Sequence, residues 1–324
     1  MARIAIIEAT GGPEVIGWTT RDLPPPGPGE VRVRHTAVGL NFIDTYHRSG
    51  LYPVPLPGGL GSEAAGVVEA VGEGVTALTP GDRVATYGPG LGAYASERNV
   101  PAEILSKLPD TISDEVAAAV MLKGCTTEYL VERAAKVQAG MTVLVHAAAG
   151  GTGQLLVQWL KHLGATVIGT VGSPDKAARA RALGADHVIE YRTEKIAERV
   201  REITGGAGVP VVFDGVGGST WDESLKSAAR RGLIVSFGNA GGPVEGVNLG
   251  VLSRHGSLFV TRPTLYDYYA TPAERAAGVA RVFELVASGV LSVEIGQRFR
   301  LEDAADAHRA IEAGETMGAT LLIP

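Results

Sequence analysis

Residues 143–163, VLVHAAAGGTGQLLVQWLKHL, constrain the fold more than any other stretch of this chain. An apolar run, Val143-Leu144-Val145, stops at His146 and enters a loop of small residues, Ala147 to Gly153. Apolar positions then recur at Leu155, Leu156, Trp159, Leu160 and Leu163, the spacing of one helix face. A strand, a tight glycine turn and a helix open a dinucleotide-binding unit. Small residues there let the backbone approach a pyrophosphate, whose charge sits against the unpaired N–H groups and positive dipole end of the helix. The segment fits G-x-G-x-x-G with Ala148 in place of the first glycine, followed by Gly150 and Gly153. Ala149, Gly150, Gly151 and Thr152 are the candidate contacts. Glycine turns also close strand–helix units that bind nothing, so the context has to decide.

The context repeats the unit. After Gly164, a helix stop, ATVIGTVGSPDKAARARALGAD reads as a buried strand, a turn, and a helix capped by Ser173 with Pro174 in its first turn. HVIEY, a helical stretch from Glu194 to Ile203, VPVVFD, a helix near Trp221–Ala229, GLIVSFG and SLFVTR follow. Six short apolar strands alternating with helices between about 142 and 262 predict a six-stranded, parallel, doubly wound Rossmann sheet.

Residues 1–122 have another texture. ARIAII, EVRVRHTAVGL, EAAGVVEAVG and DRVATY are separated by Gly/Pro turns such as GGPE, PPPGPG and TPGD, the punctuation of a largely antiparallel β domain. From about 266 the tail returns to mixed helix and strand and ends in ATLLIP. The reading is therefore an α/β chain with a Rossmann domain, 123–265, inserted in a β-rich catalytic domain, 1–122 plus 266–324. The cleft expected between two such domains is a preferred ligand position. A net charge of −6 without long basic or acidic runs argues against a nucleic-acid or anionic-membrane surface. No segment approaches the roughly 20 apolar residues of a membrane span, and MARIAIIEAT lacks the pattern of a secretion signal. The lone Cys125 rules out an intrachain disulfide. A soluble cytoplasmic protein is expected.

At this point the residues resemble the zinc-free, zeta-crystallin-like NADPH:quinone oxidoreductases of the medium-chain dehydrogenase/reductase superfamily. The segments that carry the resemblance are GGPEV (11–15), NFIDTYHRSGLYP (41–53), GSEAAG (61–66), PGDRV (80–84) and LKG (122–124). AAGGTGQLLVQWLK (148–161), GTVGSPDK (169–176), SFGN (236–239) and VTRP (260–263) continue it along the whole chain, while Met141 departs from the polar residue usual there. The resemblance implies a GroES-like β-rich domain and NADPH as cofactor.

Zinc enzymes of that superfamily raise the question of a metal. A structural zinc needs about four N or S ligands and a catalytic one about three protein ligands. One cysteine excludes a four-cysteine lobe, and Ser62 stands where the zinc enzymes carry histidine in Gly-His-Glu. His35, His47, His146, His162, His187, His255 and His308 fall in no metal-binding motif. No metal is expected.

An NAD-specific site places Asp or Glu about 20 residues after the glycine turn, at the end of the second strand. Here that place reads Gly169-Thr170-Val171-Gly172-Ser173, with no carboxylate to repel a 2′-phosphate. Gly172, Ser173, Lys176 and Tyr191 are the candidates for the phosphate or adenine; Ser173 is equally a helix cap, and Lys176 has a solvated charge as its plain alternative. Arg179 and Arg181 face solvent on this reading.

The resemblance further implies that Asn41, Tyr46 and Tyr52 line the redox site, with Phe42 beside the cofactor. Phe237, Gly238 and Asn239 border the nicotinamide ribose, Lys123 and Thr127 bond its ribose or amide, and Arg262 meets a cofactor phosphate or forms a salt bridge. Tyr46 or Tyr52 is a candidate proton donor, with aromatic packing against the acceptor as the alternative role. Nothing in the sequence indicates a His or other basic group that would make Cys125 a nucleophile. The expected activity is NADPH-dependent quinone reduction without metal. The alternatives are reduction of the C=C bond of 2-alkenals or enones, or a non-enzymatic nucleotide- or RNA-binding role of the crystallin type. A homodimer is expected through the apolar edge SLFVT, Ser257–Thr261.

Overall fold

The computed structural model describes residues 1–88 and 90–324, which divide into two compact units. The first comprises Met1–Lys123, Val279–Ala287 and Val293–Pro324; the second comprises Gly124–Gly278 and Ser288–Ser292.

In the first unit, β1 (Ala2–Ile6) and β2 (Gly17–Arg21) form an antiparallel pair. Its main strands are β3 (Glu30–Leu40), β4 (Glu63–Val71), β5 (Arg83–Tyr87), β6 (Glu97–Pro101) and β7 (Leu105–Lys107). In the second unit come β8 (Thr142–Val145), β9 (Thr166–Val171), β10 (His187–Glu190), β11 (Val209–Asp214), β12 (Ala228–Ser236) and β13 (Phe259–Thr261). The chain then adds β14 (Ile295–Arg300) and β15 (Ala319–Ile323) to the first unit.

The sheet of the first unit has the order β14-β15-β3-β4-β5-β7, with β6 also paired to β3. Every pairing is antiparallel except β14 with β15. One face packs Val31, Val33, Val68, Leu78, Val84 and Val100 together. A second cluster joins Ile7, Leu40, Leu60, Tyr94, Leu301 and Leu322, each large apolar side chain contributing about 1.5–3 kcal/mol of burial. Leu40 is the last residue of β3, so this packing fixes where the chain leaves the sheet. Helix α1 (Phe42–Ser49) starts there, with Asn41 as an extended N-cap (φ −133°, ψ 154°). Asp44 at its third position accepts the Asn41 N–H at 2.9 Å, half of a capping box.

The second unit is a parallel sheet of order β10-β9-β8-β11-β12-β13. Its strands are near-continuous apolar runs because helices cover both faces. Leu144, Ile168, Ile189, Val212 and Ile234 meet Ile196, Val200 and Leu225 in the core. Connections go outward in opposite directions from β8 and β11, which makes the space beyond their carboxyl ends the switch point of the sheet.

Three element boundaries differ from the sequence reading. The helix expected from Glu194 begins at Ile196, with Lys195 as its cap. The helix expected to reach Ala229 ends at Ser227, and β12 starts at Ala228. The last strand covers only Phe259–Thr261, because Ser257 adopts φ 57° in the turn before it. Residues 266–278 cluster with the second unit. There the Tyr268 ring stacks on Tyr129 (4.8 Å, 17°), and the Arg133 guanidinium lies 5.0 Å from the centre of the Tyr269 ring.

Candidate active site

The glycine turn lies at the carboxyl end of β8. Ala147 takes φ 52°, Gly150 N–H closes back on the Ala147 carbonyl at 2.9 Å, and the Ala148 N–H binds the Thr170 carbonyl at 3.0 Å. Gly150 then caps α2 (Gly151–His162) in extended geometry, with no side-chain capping group. A Cβ on Gly153 would come 2.1 Å from the Ala147 oxygen, so the loop closes this tightly on the helix only with glycine there. The helix start around Gly150, Gly151 and Thr152 thus presents backbone N–H groups beside small residues, the cradle a pyrophosphate requires.

At the end of β9, Ser173 caps α3 (Pro174–Ala182), its Oγ accepting the Lys176 backbone N–H at 3.4 Å. Lys176 is half-buried, and Asp175 beside it is exposed. The Tyr191 N–H returns to the Val171 carbonyl at 3.1 Å. A Cβ on Gly172 would meet the Tyr191 hydroxyl at 2.4 Å, so the Tyr191 side chain rests on the Gly172 backbone. Gly172, Ser173, Lys176 and Tyr191 are therefore brought to one place. With no carboxylate between Gly169 and Ser173, their donors suit a phosphate monoester.

Phe237, Gly238 and Asn239 form the turn after β12. The Phe237 N–H binds the Asp214 carbonyl at 2.8 Å, and its ring lies against Gly215, where a Cβ would stand 2.8 Å away. Arg262 braces this turn, donating from one guanidinium nitrogen to Ser236 Oγ (3.1 Å) and to the Gly238 carbonyl (2.9 Å). Thr127 and Cys125 are both fully buried in the helix Asp114–Glu128, and Cys125 is in no disulfide.

The first unit carries the remaining candidates. Tyr46 is buried, and its ring meets Tyr52 edge-on at 5.2 Å and Phe42 at 6.3 Å. The Asn41 amide donates to Glu63 Oε2 at 2.8 Å, and Lys123 Nζ reaches the same oxygen at 3.2 Å. Glu63 Oε1 accepts the Leu122 N–H at 2.7 Å. The buried Glu63 thus fixes Asn41 and Lys123 relative to each other. Among the described residues, no group of three or more His, Cys, Asp or Glu could hold a metal ion.

Residues 27–110 match the alcohol dehydrogenase GroES-like domain and residues 151–281 the zinc-binding dehydrogenase family. The chain is 54% identical to the quinone oxidoreductase of Pseudomonas aeruginosa, over the full length of both. It is 46% identical to a 2-haloacrylate reductase of a Burkholderia species, over 100% of this chain and 99% of that protein. The crystal structure of Escherichia coli quinone oxidoreductase complexed with NADPH superposes with a TM-score of 0.97 at 48% identity, covering all of both chains. The chain belongs to the quinone oxidoreductase family of medium-chain dehydrogenases/reductases.

Two buried polar networks surround the candidate residues of this quinone oxidoreductase family member, and sequence reasoning missed both. In the second unit His146 spans Thr170 Oγ1 and Ser224 Oγ, each at 3.1 Å. Ser224 Oγ donates to Asp214 Oδ2 at 2.6 Å, and Asp214 also accepts Thr220 Oγ1 and the Val216 and Gly217 N–H groups. Burial lowers the His146 pKa, against the pull of Asp214. In the first unit Tyr94 Oη donates to Asp44 Oδ2 (3.1 Å) and contacts His308 Nε2 (2.9 Å). His308 Nδ1 meets Arg48 (3.0 Å), whose guanidinium also forks onto Glu312. Burial, reinforced by Arg48, pushes His308 down to about 3, and burial, with a smaller push from Glu63, outweighs the hydrogen bonds and Lys123 on Asp44 and raises it to about 7. Asp44 and Glu63 stand inside the segments NFIDTY and GSE, so a carboxylate in an otherwise apolar or small-residue run was the available signal. His308 and Arg48 offered none.

Proposed function

We propose that this protein catalyses the NADPH-dependent reduction of quinones without a metal. The observation that carries this reading is the first turn of α1. Asn41, tied to Glu63, stands there beside the Phe42–Tyr46–Tyr52 aromatic cluster, and together they provide polar fixing and planar apolar surface. When bound, NADPH supplies the hydride, so the protein's contribution is orientation, exclusion of water and proton supply. Ala149, Gly150, Gly151 and Thr152 would hold the pyrophosphate, while Ser173, Lys176 and Tyr191 at Gly172 would hold the 2′-phosphate end. Phe237, Gly238, Asn239, Lys123 and Thr127 would serve the nicotinamide half, with Phe42 beside it. Arg262 would act by shaping the 236–239 turn that it braces. Tyr46 and Tyr52 would pack against the acceptor. In this reading the Rossmann and β-rich units are the cofactor and catalytic domains.

A homodimer belongs to the same proposal. β13 ends the parallel sheet and exposes Phe259 (62%) and Val260 (38%), an apolar edge of the kind proteins cover by pairing. A cytoplasmic location suits a chain whose one cysteine, Cys125, cannot form an intrachain disulfide. No described helix is long and apolar enough to cross a membrane.

A second reading, reduction of an activated C=C bond, is favoured by the full-length likeness to a 2-haloacrylate reductase. Product analysis separates the two. With a quinone and an enone offered together, the quinol is the expected main product, and preferential formation of the saturated ketone would favour the second reading.

A further inference from the structure

The chain of side chains ending on Asp44 has a fixed direction. Arg48 only donates, so His308 Nδ1 is its acceptor and the imidazole carries its proton on Nε2. That proton is donated to Tyr94 Oη, and the Tyr94 hydroxyl hydrogen then goes to Asp44 Oδ2. The Asn41 N–H points at the same oxygen. Two donors therefore occupy Oδ2, and a proton carried by Asp44 sits on Oδ1. Asp44 Oδ1 is buried and has no protein hydrogen-bond partner, as is also true of the Ser62 hydroxyl. Ser62 lies between Gly61, which packs on the Tyr94 ring, and Glu63, which holds Asn41.

We propose that Asp44 is the proton-holding residue of the redox site, carrying on Oδ1 the proton that completes reduction of the acceptor. This rests on the functional reading above. Two-electron reduction of a quinone or an enone by a reduced nicotinamide leaves an anionic oxygen on the acceptor. The Asp44 Oδ1–H bond breaks, an O–H bond forms on that oxygen, and the bonding pair stays on Asp44 as a carboxylate. The Tyr94 and Asn41 donors stabilise that carboxylate, and a solvent proton restores the acid.

The charges around Asp44 set its poise. Lys123 and the two donors favour ionisation, while burial and Glu63 oppose it, with burial the largest effect. Arg48 and His47 share its helix, and Arg48 spends its charge on Glu312. An acid balanced near neutrality is what general acid work at neutral pH requires.

The test joins a spectroscopic titration to a rate profile, using Asp44→Asn and Tyr94→Phe. Asparagine keeps an acceptor for Tyr94 and Asn41, and phenylalanine keeps the ring that Gly61 packs on. In ligand-free wild type, infrared difference spectra should show one buried carboxylic acid band lost as pH rises through about 7. The band should be absent in Asp44→Asn and persist to higher pH in Tyr94→Phe, which loses a donor to the ionised form. Wild-type turnover should fall along the same limb. Asp44→Asn should lose the limb and turn over roughly 100-fold more slowly near pH 6. Absence of the band, or a limb unchanged in Asp44→Asn, overturns the assignment alone. A wild type that reduces neither quinone nor enone overturns the functional reading, and with it the destination of the proton.

Discussion

The two units each contain a neutral buried histidine in a one-way chain of donors that ends on a buried aspartate, and the two ends differ. In the second unit Ser224 donates to Asp214, so His146 Nε2–H must donate to Ser224 and its Nδ1 must accept Thr170 Oγ1–H. Both Asp214 oxygens are covered by hydroxyl and backbone donors. The Asp44 chain in the first unit covers one oxygen and leaves the other without a protein partner. A saturated network fixes a loop, here the one at Ala147 through Thr170. A network one donor short keeps a site for a mobile proton. Burial is common to both, so the count of donors, not burial itself, separates scaffold from chemistry.

The largest expected effect tests the scaffold side. Asp214→Ala removes the buried acceptor of four donor groups and should cost about 3–5 kcal/mol in urea unfolding. A loss under about 1 kcal/mol would break the comparison. The next test uses pH. Asp44 has its folded pKa raised from 3.8 to about 7, so the folded state holds the proton more tightly than the unfolded chain. The stability this proton contributes is present below about 4 and is lost as pH rises to about 7. Relative to Asp44→Asn, the wild type should therefore lose about 4 kcal/mol across that window. Parallel stability–pH curves would contradict the raised pKa. The smallest effect concerns the nucleotide end. Lys176→Glu should weaken NADPH binding roughly 30-fold by placing a like charge at the 2′-phosphate, with NADH affinity nearly unchanged. Fluorescence titration of both cofactors reads the difference, and equal losses for both would remove Lys176 from the site.

The second unit was the more legible in sequence. Its strand–turn–helix repeats are local, and Gly153, Ser173 and Pro174 act within a few residues of where they stand. The six strands of its parallel sheet followed from alternation, whereas their order is seen only in the fold. The edge strand was read too long because the turn at Ser257, a non-glycine residue at positive φ, gives no sequence signal. The aromatic and amide residues of the first unit were recoverable through the NFIDTY segment. The Asp44 network was not, since it joins residue 94 to residue 308 and residue 48 to residue 312. Such partners meet only once β15 has paired with β3 and the helix Ala304–Glu312 has packed on α1. His146 and Asp214 likewise lie at the ends of neighbouring strands far apart in sequence.

The central claim, metal-free NADPH:quinone reduction, is tested most directly by following cofactor oxidation by the chelator-treated protein with a quinone, using NADPH and NADH in parallel. The account predicts quinone-dependent oxidation with one NADPH consumed per quinol formed, at a rate untouched by chelation, and only weak activity with NADH. No quinone-dependent oxidation, or turnover abolished by chelation and restored by zinc, would contradict it.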